Sequence, residues 1–248
     1  MRWYIISKKT FYRTKTALVI VVLCALMVAF SVSAVNARHE TELYAGVEGT
    51  VDESRLIILD AGHGGEDCGA VGTTGVLEKD LNMQLAEEIG TLLTEKGYTV
   101  IYTRTEDKLL YTPEEDIKGI RKISDLKNRC ALANQYPSAL FVSIHMNSYS
   151  SPKYSGLQVY YTDGNDASIS LASKIQTSVR ELLQTENNRT TKSGKGFYIL
   201  ENTEPVSVLI ECGFLTNPEE CKKLSEKEYQ KQLSSAIVCG IIEYKEGK

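Results

Sequence analysis

Three polar residues able to do chemistry each follow an apolar run that is typical of a buried strand. His63 comes after the run 55–60, His145 after 139–144, and Glu211 after 206–210. In an open parallel sheet, ligands bind in the crevice outside the carboxyl ends of the strands. We therefore expect these three residues to converge at one edge of a sheet.

A histidine pair at such an edge suits a metal ion, although either histidine alone could be a hydrogen-bonded core or loop residue. A catalytic zinc site typically has three protein ligands and one open position for water. No cysteine stands beside both histidines, so a carboxylate is the expected third ligand. Glu78 opens a predicted helix, a rigid element, but the residue types alone leave the choice open. The candidates on chemistry are Asp60, Glu66, Asp67 and Glu78.

Glu211 stands between apolar neighbours, and partial removal from water raises the pKa of a carboxyl group. Such a group suits proton transfer from an attacking water to a leaving amine. The alternative is a strand-end glutamate paired with a surface lysine or arginine. Arg104, after the second predicted strand, either positions a substrate, braces the site or lies at the edge of the core.

Strands alternate with helices along the chain, and most of the strands are continuous apolar runs. This pattern predicts an α/β domain whose mostly parallel sheet is covered by helices on both faces. The other predicted strands are 98–103 and 156–161, and the predicted helices are 78–96, 124–135, 166–183, one starting at 217, and 226–243.

The first 35 residues differ in composition from the rest of the chain. Basic residues precede an apolar run over 17–30, and small residues follow at 31–34. This order is typical of a signal peptide, or of an uncleaved membrane anchor. Residues 36–54 are polar and aperiodic, as in a tether, and 55–244 form the predicted catalytic domain. We expect the chain beyond residue 35 to be exported, with membrane attachment only through an uncleaved segment.

Composition argues against several other functions. The net charge is −4 and no basic cluster is present, so nucleic acid is not an expected partner. The glycines after residue 61 do not follow a phosphate-binding spacing. Five cysteines follow the apolar segment, an odd number without a C-x-x-C pair, and we interpret them as core thiols.

Four blocks, in this order, resemble the zinc-dependent N-acetylmuramoyl-L-alanine amidases: LDAGHGG (59–65), LEKDLN (77–82), VSIHMN (142–147) and IECGFLTN (210–217). The resemblance covers roughly residues 55–244. It implies that His63, Glu78 and His145 hold one Zn²⁺ per chain and that Glu211 is the catalytic carboxylate. The expected reaction hydrolyses the amide between the lactyl group of N-acetylmuramic acid and L-alanine in peptidoglycan. Ala61 departs from the proline common in the family, which should alter loop stiffness only.

Three further segments are similar to the sporulation branch of the family: KGIR (118–121), DLKNR (125–129) and KYSG (153–156). This similarity implies action on spore-cortex peptidoglycan, in sequence with a separate deacetylase that leads to the muramic δ-lactam, and an activating protein partner is a further expectation. Two alternatives stay open. One is a zinc peptidase cutting within the stem peptide, and the other is a non-catalytic wall-binding protein on the same fold.

Overall fold

The computed structural model describes residues 52–247. The predicted signal or anchor segment and the predicted tether up to residue 51 lie outside the described residues. A short 3-10 helix, Glu53–Arg55, leads into the first strand. Between residues 52 and 247, no helix has both the length and the apolar character that crossing a membrane requires.

In the part of the chain that the structure describes, six strands form one sheet: β1 (Leu56–Ala61), β2 (Thr99–Tyr102), β3 (Leu140–Asn147), β4 (Gln158–Tyr161), β5 (Lys192–Ser193) and β6 (Val206–Phe214). They lie in the order β2-β1-β3-β6-β4-β5. Parallel pairs join β1 to β2, β1 to β3 and β3 to β6, whereas β4 runs antiparallel to β6 and pairs in parallel with β5. The predicted mostly parallel sheet is confirmed, with a reversed pair of strands at one edge.

Helices cover both faces of this sheet: α1 (Glu78–Glu95), α2 (Arg121–Asn134), α3 (Asp166–Leu182), α4 (Tyr198–Asn202), α5 (Pro218–Leu224) and α6 (Lys227–Lys245). Side chains alternate across a strand, so neighbouring residues of β1 report on opposite faces. Leu59 lies in the main hydrophobic core with residues of α1, α3 and α6, whereas Asp60 bonds to Arg129 of α2 on the other face.

The helical period of α1 determines which of its faces is buried. Leu81, Leu85, Ile89 and Leu93 recur every fourth residue and are almost completely buried. Burying each such side chain stabilises the fold by roughly 1.5–3 kcal/mol. The helix ends before Gly97, whose φ of 79° suits a glycine C-terminal to a helix. This packing fixes the first turn of α1 relative to the sheet.

Two strands extend further than the sequence predicts. His145 lies inside β3 and Glu211 lies inside β6, so the prediction that each follows the last strand residue was wrong. The continuous apolar runs of the sequence stop before these residues, but the backbone pairing of β3 with β6 continues to a register shift between His145 and Asn147. Polar side chains are therefore carried by paired strands at the rim of the sheet.

All five cysteines in the described part of the chain are free. Cys130, Cys212 and Cys221 are buried, which confirms their interpretation as core thiols. Cys68 and Cys239 are half-buried instead.

Candidate metal centre

Two histidines and a glutamate meet at the carboxyl ends of the parallel strands. The ligand atoms of His63, Glu78 and His145 all lie within 4.8 Å of one another. His63 Nε2 lies 3.1 Å and His145 Nδ1 lies 3.0 Å from Glu78 Oε1. The two imidazole rings contact edge to face, with 4.9 Å between their centroids. This cluster could hold a metal ion.

His63 lies in the glycine loop that follows β1. The loop leaves the sheet after Gly62, whose amide still donates to the carbonyl of Ile144 in β3. The other ring nitrogen of His63, Nδ1, lies 2.8 Å from Asp67 Oδ2. A carboxylate on the outer nitrogen fixes the ring orientation and the tautomer of a metal-binding histidine. Asp67 therefore leaves Nε2 of His63 facing the cluster.

Glu78 is the first residue of α1 and is 4% exposed. Its Oε2 accepts a hydrogen bond from the amide of Ala70, and its Oε1 accepts one from the amide of Met146. Burial raises the pKa of this carboxyl, but hydrogen bonds with His145 and His63 outweigh that effect and hold the pKa of Glu78 well below its usual range. The side chain is thus an ionised carboxylate held at both oxygens.

The His145 ring lies directly against the backbone of the glycine loop. A Cβ atom built on Gly62 would lie 2.2 Å from both Cε1 and Nε2 of His145. A Cβ on Gly69 would lie 2.5 Å from Glu78 Oε2 and 2.8 Å from Cδ2 of His63. Since neither space admits a side chain, these two glycines let the loop approach the cluster closely.

Two opposing effects act on the charge of His63. Burial disfavours the protonated imidazole, whereas hydrogen bonds to Asp67 and Glu78 favour it and raise the pKa of His63 to about 9. The carboxylates therefore attract positive charge to this position.

Glu211 lies beside the cluster because it is the Cα partner of His145 in the register between β6 and β3. Its Oε2 is shielded from solvent and has no hydrogen-bond partner within residues 52–247. Burial raises the pKa of Glu211 to about 7, and the nearby Glu78 adds to the rise while His145 opposes it. A buried carboxyl oxygen without a partner is unusual, and it is available to a substrate, a water or a metal ligand.

The other acidic candidates lie outside the cluster. Asp60 is fully buried beneath it and pairs with Arg129 at 2.6 Å. Glu66 is 59% exposed at its side chain and pairs with Arg121 at 2.9 Å. Asp67 contacts the outer nitrogen of His63, as described above. The geometry thus brings Glu78 together with the histidines, and leaves the other three acids in different roles.

Arg104 and Arg129 are both buried next to the cluster, at 3% and 1% exposure. The hypothesis that Arg104 braces the site agrees with its hydrogen bonds to the carbonyls of Ala61 and Gly62. Sequence reasoning missed Arg129. The available signal was an arginine within α2 beside the buried positions Cys130 and Ala133.

The chemistry of the donor set fits a zinc ion. Two imidazoles and one carboxylate are a ligand set of catalytic zinc sites, which keep a further position for water. A carboxylate behind one histidine and an unpartnered carboxyl oxygen on the neighbouring strand are further features of such sites.

The fold and the cluster together define an α/β protein with a candidate metal centre at the carboxyl ends of its strands. The family model described as N-acetylmuramoyl-L-alanine amidase matches residues 57–243. The chain belongs to this family of amidases.

Individual relatives agree with this assignment. The germination-specific N-acetylmuramoyl-L-alanine amidase of Bacillus subtilis (strain 168) is 38% identical over 192 residues, which cover 77% of this chain and 79% of that protein. The structure of the CwlD amidase from Clostridioides difficile in complex with the GerS lipoprotein is similar with a TM-score of 0.75 and 37% identity, covering 78% of this chain and 99% of that chain. The structure of the amidase AmiC2 of Nostoc punctiforme is similar with a TM-score of 0.66 and 32% identity. The match covers 77% of this chain and 97% of that chain.

Proposed function

We propose that this N-acetylmuramoyl-L-alanine amidase is exported, depends on zinc and acts on spore-cortex peptidoglycan. One observation carries the chemical part of the proposal. His63, Glu78 and His145 converge within 4.8 Å, next to the unpartnered Oε2 of Glu211. Membership of the amidase family supports peptidoglycan as the substrate.

His63, Glu78 and His145 would hold the zinc ion in this proposal, and Asp67 would keep the ring of His63 in place. Zinc supplies Lewis-acid polarisation of the amide carbonyl and lowers the pKa of water toward about 7. The three side chains lie on a loop, a helix start and a strand, so their mutual positions depend on the packed domain rather than on one local motif.

Glu211 moves the proton in this scheme. Its Oε2 accepts a proton from the attacking water and delivers that proton to the amine of L-alanine as the amide C–N bond breaks. The products are the lactyl carboxylate of the sugar and a free L-alanine amino terminus. Burial raises the pKa of Glu211, which suits a group that must first accept a proton and then donate it at neutral pH.

Product analysis identifies the bond that is cut. The full-length protein is incubated with purified peptidoglycan, and new amino termini are labelled. We expect L-alanine termini together with intact sugar–lactyl groups. New termini at any later stem residue would mean a stem-peptide peptidase, and no new termini with retained wall binding would mean a non-catalytic wall-binding protein.

The cortex assignment rests on the relatives and on the sporulation-type segments of the sequence. The relative from Bacillus subtilis carries the name germination-specific amidase. This chain is expressed in a sporulating Bacillus subtilis strain that lacks that amidase, and the cortex is analysed for muramic δ-lactam, the product expected after a separate deacetylase acts. Restored lactam, absent with a Glu211→Gln control, is the expected result. If the cortex contained no lactam although the chain digested vegetative cell wall, the cortex assignment would be contradicted.

An activating protein partner is the remaining part of the proposal. The similar CwlD amidase was solved in complex with a lipoprotein, GerS. We expect the same kind of partner to increase digestion by this chain. A rate of digestion by the purified chain that an added partner lipoprotein does not change would contradict this part alone.

A further inference from the structure

His63 has an unusual backbone conformation. Its φ is 63°, and it is the only non-glycine residue with a positive φ between residues 52 and 247. L-amino acids with a Cβ atom rarely adopt this left-handed region, because the side chain crowds the backbone. Surrounding contacts must therefore hold the backbone of His63 in place.

Arg129 supplies one set of these contacts. Its Nη2 donates to the carbonyl of His63 at 2.7 Å, and its Nη1 donates to the carbonyl of Ala61 at 2.8 Å. Ion pairs with Asp60 at 2.6 Å and Asp125 at 2.9 Å neutralise the buried guanidinium. The fork geometry of arginine lets one side chain bond carbonyls on both sides of Gly62.

Arg104 supplies the second set and reaches two elements at once. Its Nε donates to Ala61 O at 2.8 Å, and its Nη2 donates to both Gly62 O at 3.1 Å and Lys79 O at 2.8 Å. Lys79 follows Glu78 in the first turn of α1. Arg104 thus ties the loop that carries His63 to the helix that carries Glu78.

The hydrogen-bond partners of Arg104 do not neutralise its charge. Burial lowers the pKa of its guanidinium. Its remaining Nη1 bonds go to Glu106 O at 3.2 Å and to the Met83 sulfur at 3.6 Å, so all of these partners are uncharged. A buried cation normally has a carboxylate partner. Arg104 instead uses its donors to hold backbone.

We propose that Arg104 and Arg129 are positioning residues for the metal site, and that they preform it before a metal binds. Together they bond three consecutive carbonyls, those of Ala61, Gly62 and His63. Arg129 holds His63 in its left-handed conformation, and Arg104 sets the spacing between His63 and Glu78. The inference rests on the proposed function, since it takes these two residues as metal ligands.

The test measures zinc affinity of the full-length protein by competition with a chromophoric chelator, beside thermal unfolding of the metal-free form. Lysine keeps the positive charge but lacks the planar, forked arrangement of N–H donors that a guanidinium has. We expect Arg104→Lys and Arg129→Lys each to bind zinc roughly 10- to 100-fold more weakly than the wild type, while the metal-free variants still unfold cooperatively. The visible absorption of bound Co²⁺ should also change in both variants, because it reports the geometry of the ligands.

Arg180→Lys is the matched control. Arg180 also donates to two backbone carbonyls, those of Asn187 at 2.9 Å and Arg189 at 2.7 Å, but it belongs to α3. The zinc affinity of the Arg180→Lys variant should stay within about two-fold of the wild-type value. This control separates a general effect of losing an arginine from the loss of positioning at the metal site.

The outcomes are distinct. Wild-type zinc affinity and an unchanged Co²⁺ spectrum in both arginine variants would overturn this inference and leave the proposed function standing. Loss of cooperative unfolding in both variants would overturn it too, since the arginines would then serve the fold itself. A wild type that binds no zinc would instead contradict the proposed function.

Discussion

Glu211 and His145 are Cα partners in the register between the parallel strands β6 and β3. The register places the carboxylate that we assign to proton transfer next to a residue of the metal cluster, on the neighbouring strand. Because both strands are hydrogen-bonded along their length and buried on both faces, the separation of these two side chains is set by the sheet and not by a loop.

Gly62→Ala should damage the metal centre with little effect on the rest of the domain. The added methyl group would lie 2.2 Å from two atoms of the His145 ring, so the ring or the loop must move. We expect zinc affinity to fall about ten-fold or more, because ligands must keep their positions within about 0.5 Å. Zinc titration measures the loss.

Gly119→Ala is a control for this substitution. Gly119 has a φ of 90° and open space around its Cα, so alanine there strains only the backbone. This variant should lose stability, on the order of 1 kcal/mol, and keep its zinc affinity. Equal zinc affinities for Gly62→Ala and the wild type would contradict the close approach of the loop to His145.

Asp67→Asn should weaken zinc binding without removing a ligand. Asp67 Oδ2 lies 2.8 Å from His63 Nδ1, and this contact orients the ring. Loss of the outer carboxylate typically costs 10- to 100-fold in metal affinity. The neighbouring Glu66→Gln is the matched control, because Glu66 pairs with Arg121 at the surface. If both variants bound zinc equally well, Asp67 would have no orienting role.

The ionisation of Glu211 should make the stability of the metal-free protein depend on pH. Its folded pKa of about 7 lies above the ordinary value of 4.5, so between these values the folded state holds more protons than the unfolded state. Protonated Glu211 therefore contributes to the free energy of unfolding at low pH. This contribution is lost as the pH rises from about 4.5 to about 7, and the loss is then complete. The difference in pKa corresponds to about 3 kcal/mol at most.

Thermal unfolding of zinc-free Glu211→Gln and wild-type protein, measured from pH 5 to pH 8, checks this sign. The free energy of unfolding of the variant should rise relative to that of the wild type as the pH increases to about 7. Above that pH, the difference between the two free energies should stay constant. The exposed Glu95→Gln serves as control and should show no such gap. If the variant instead lost stability relative to the wild type as the pH rose, the effect would have the opposite sign and would contradict the burial of Glu211.

Apolar patterning predicts much of this fold because the sheet is parallel and covered. Residues 56–59 form a continuous apolar stretch, which is typical of a parallel strand covered by helices on both faces, and α1 follows its four-residue apolar period closely. The direction of β4 could not be predicted, since a short alternating strand has the same pattern whether it runs parallel or antiparallel. The ends of β3 and β6 were missed because backbone pairing continues past His145 and Glu211, the polar residues that interrupt the apolar runs.

The candidate site was predictable only in part for a related reason. Histidines after buried strands indicate a common edge, but Asp67 and Glu78 have the same chemistry in the sequence. Their roles separate only in three dimensions, where Asp67 lies on the outer nitrogen of His63 and Glu78 lies between the two histidines. Arg129 was missed because an arginine in a helix is ordinarily a surface residue, and its burial depends on an ion pair with Asp60 of β1.

The most direct test of the account compares zinc content and peptidoglycan digestion for the wild type and three variants. We predict one zinc per chain and new L-alanine termini for the wild type and for His39→Ala, which changes the remaining histidine of the sequence. Glu211→Gln should keep its zinc and lose digestion, and His145→Ala should lose both. Zinc retained at wild-type affinity in His145→Ala, or digestion at the wild-type rate by Glu211→Gln, would contradict the central claim.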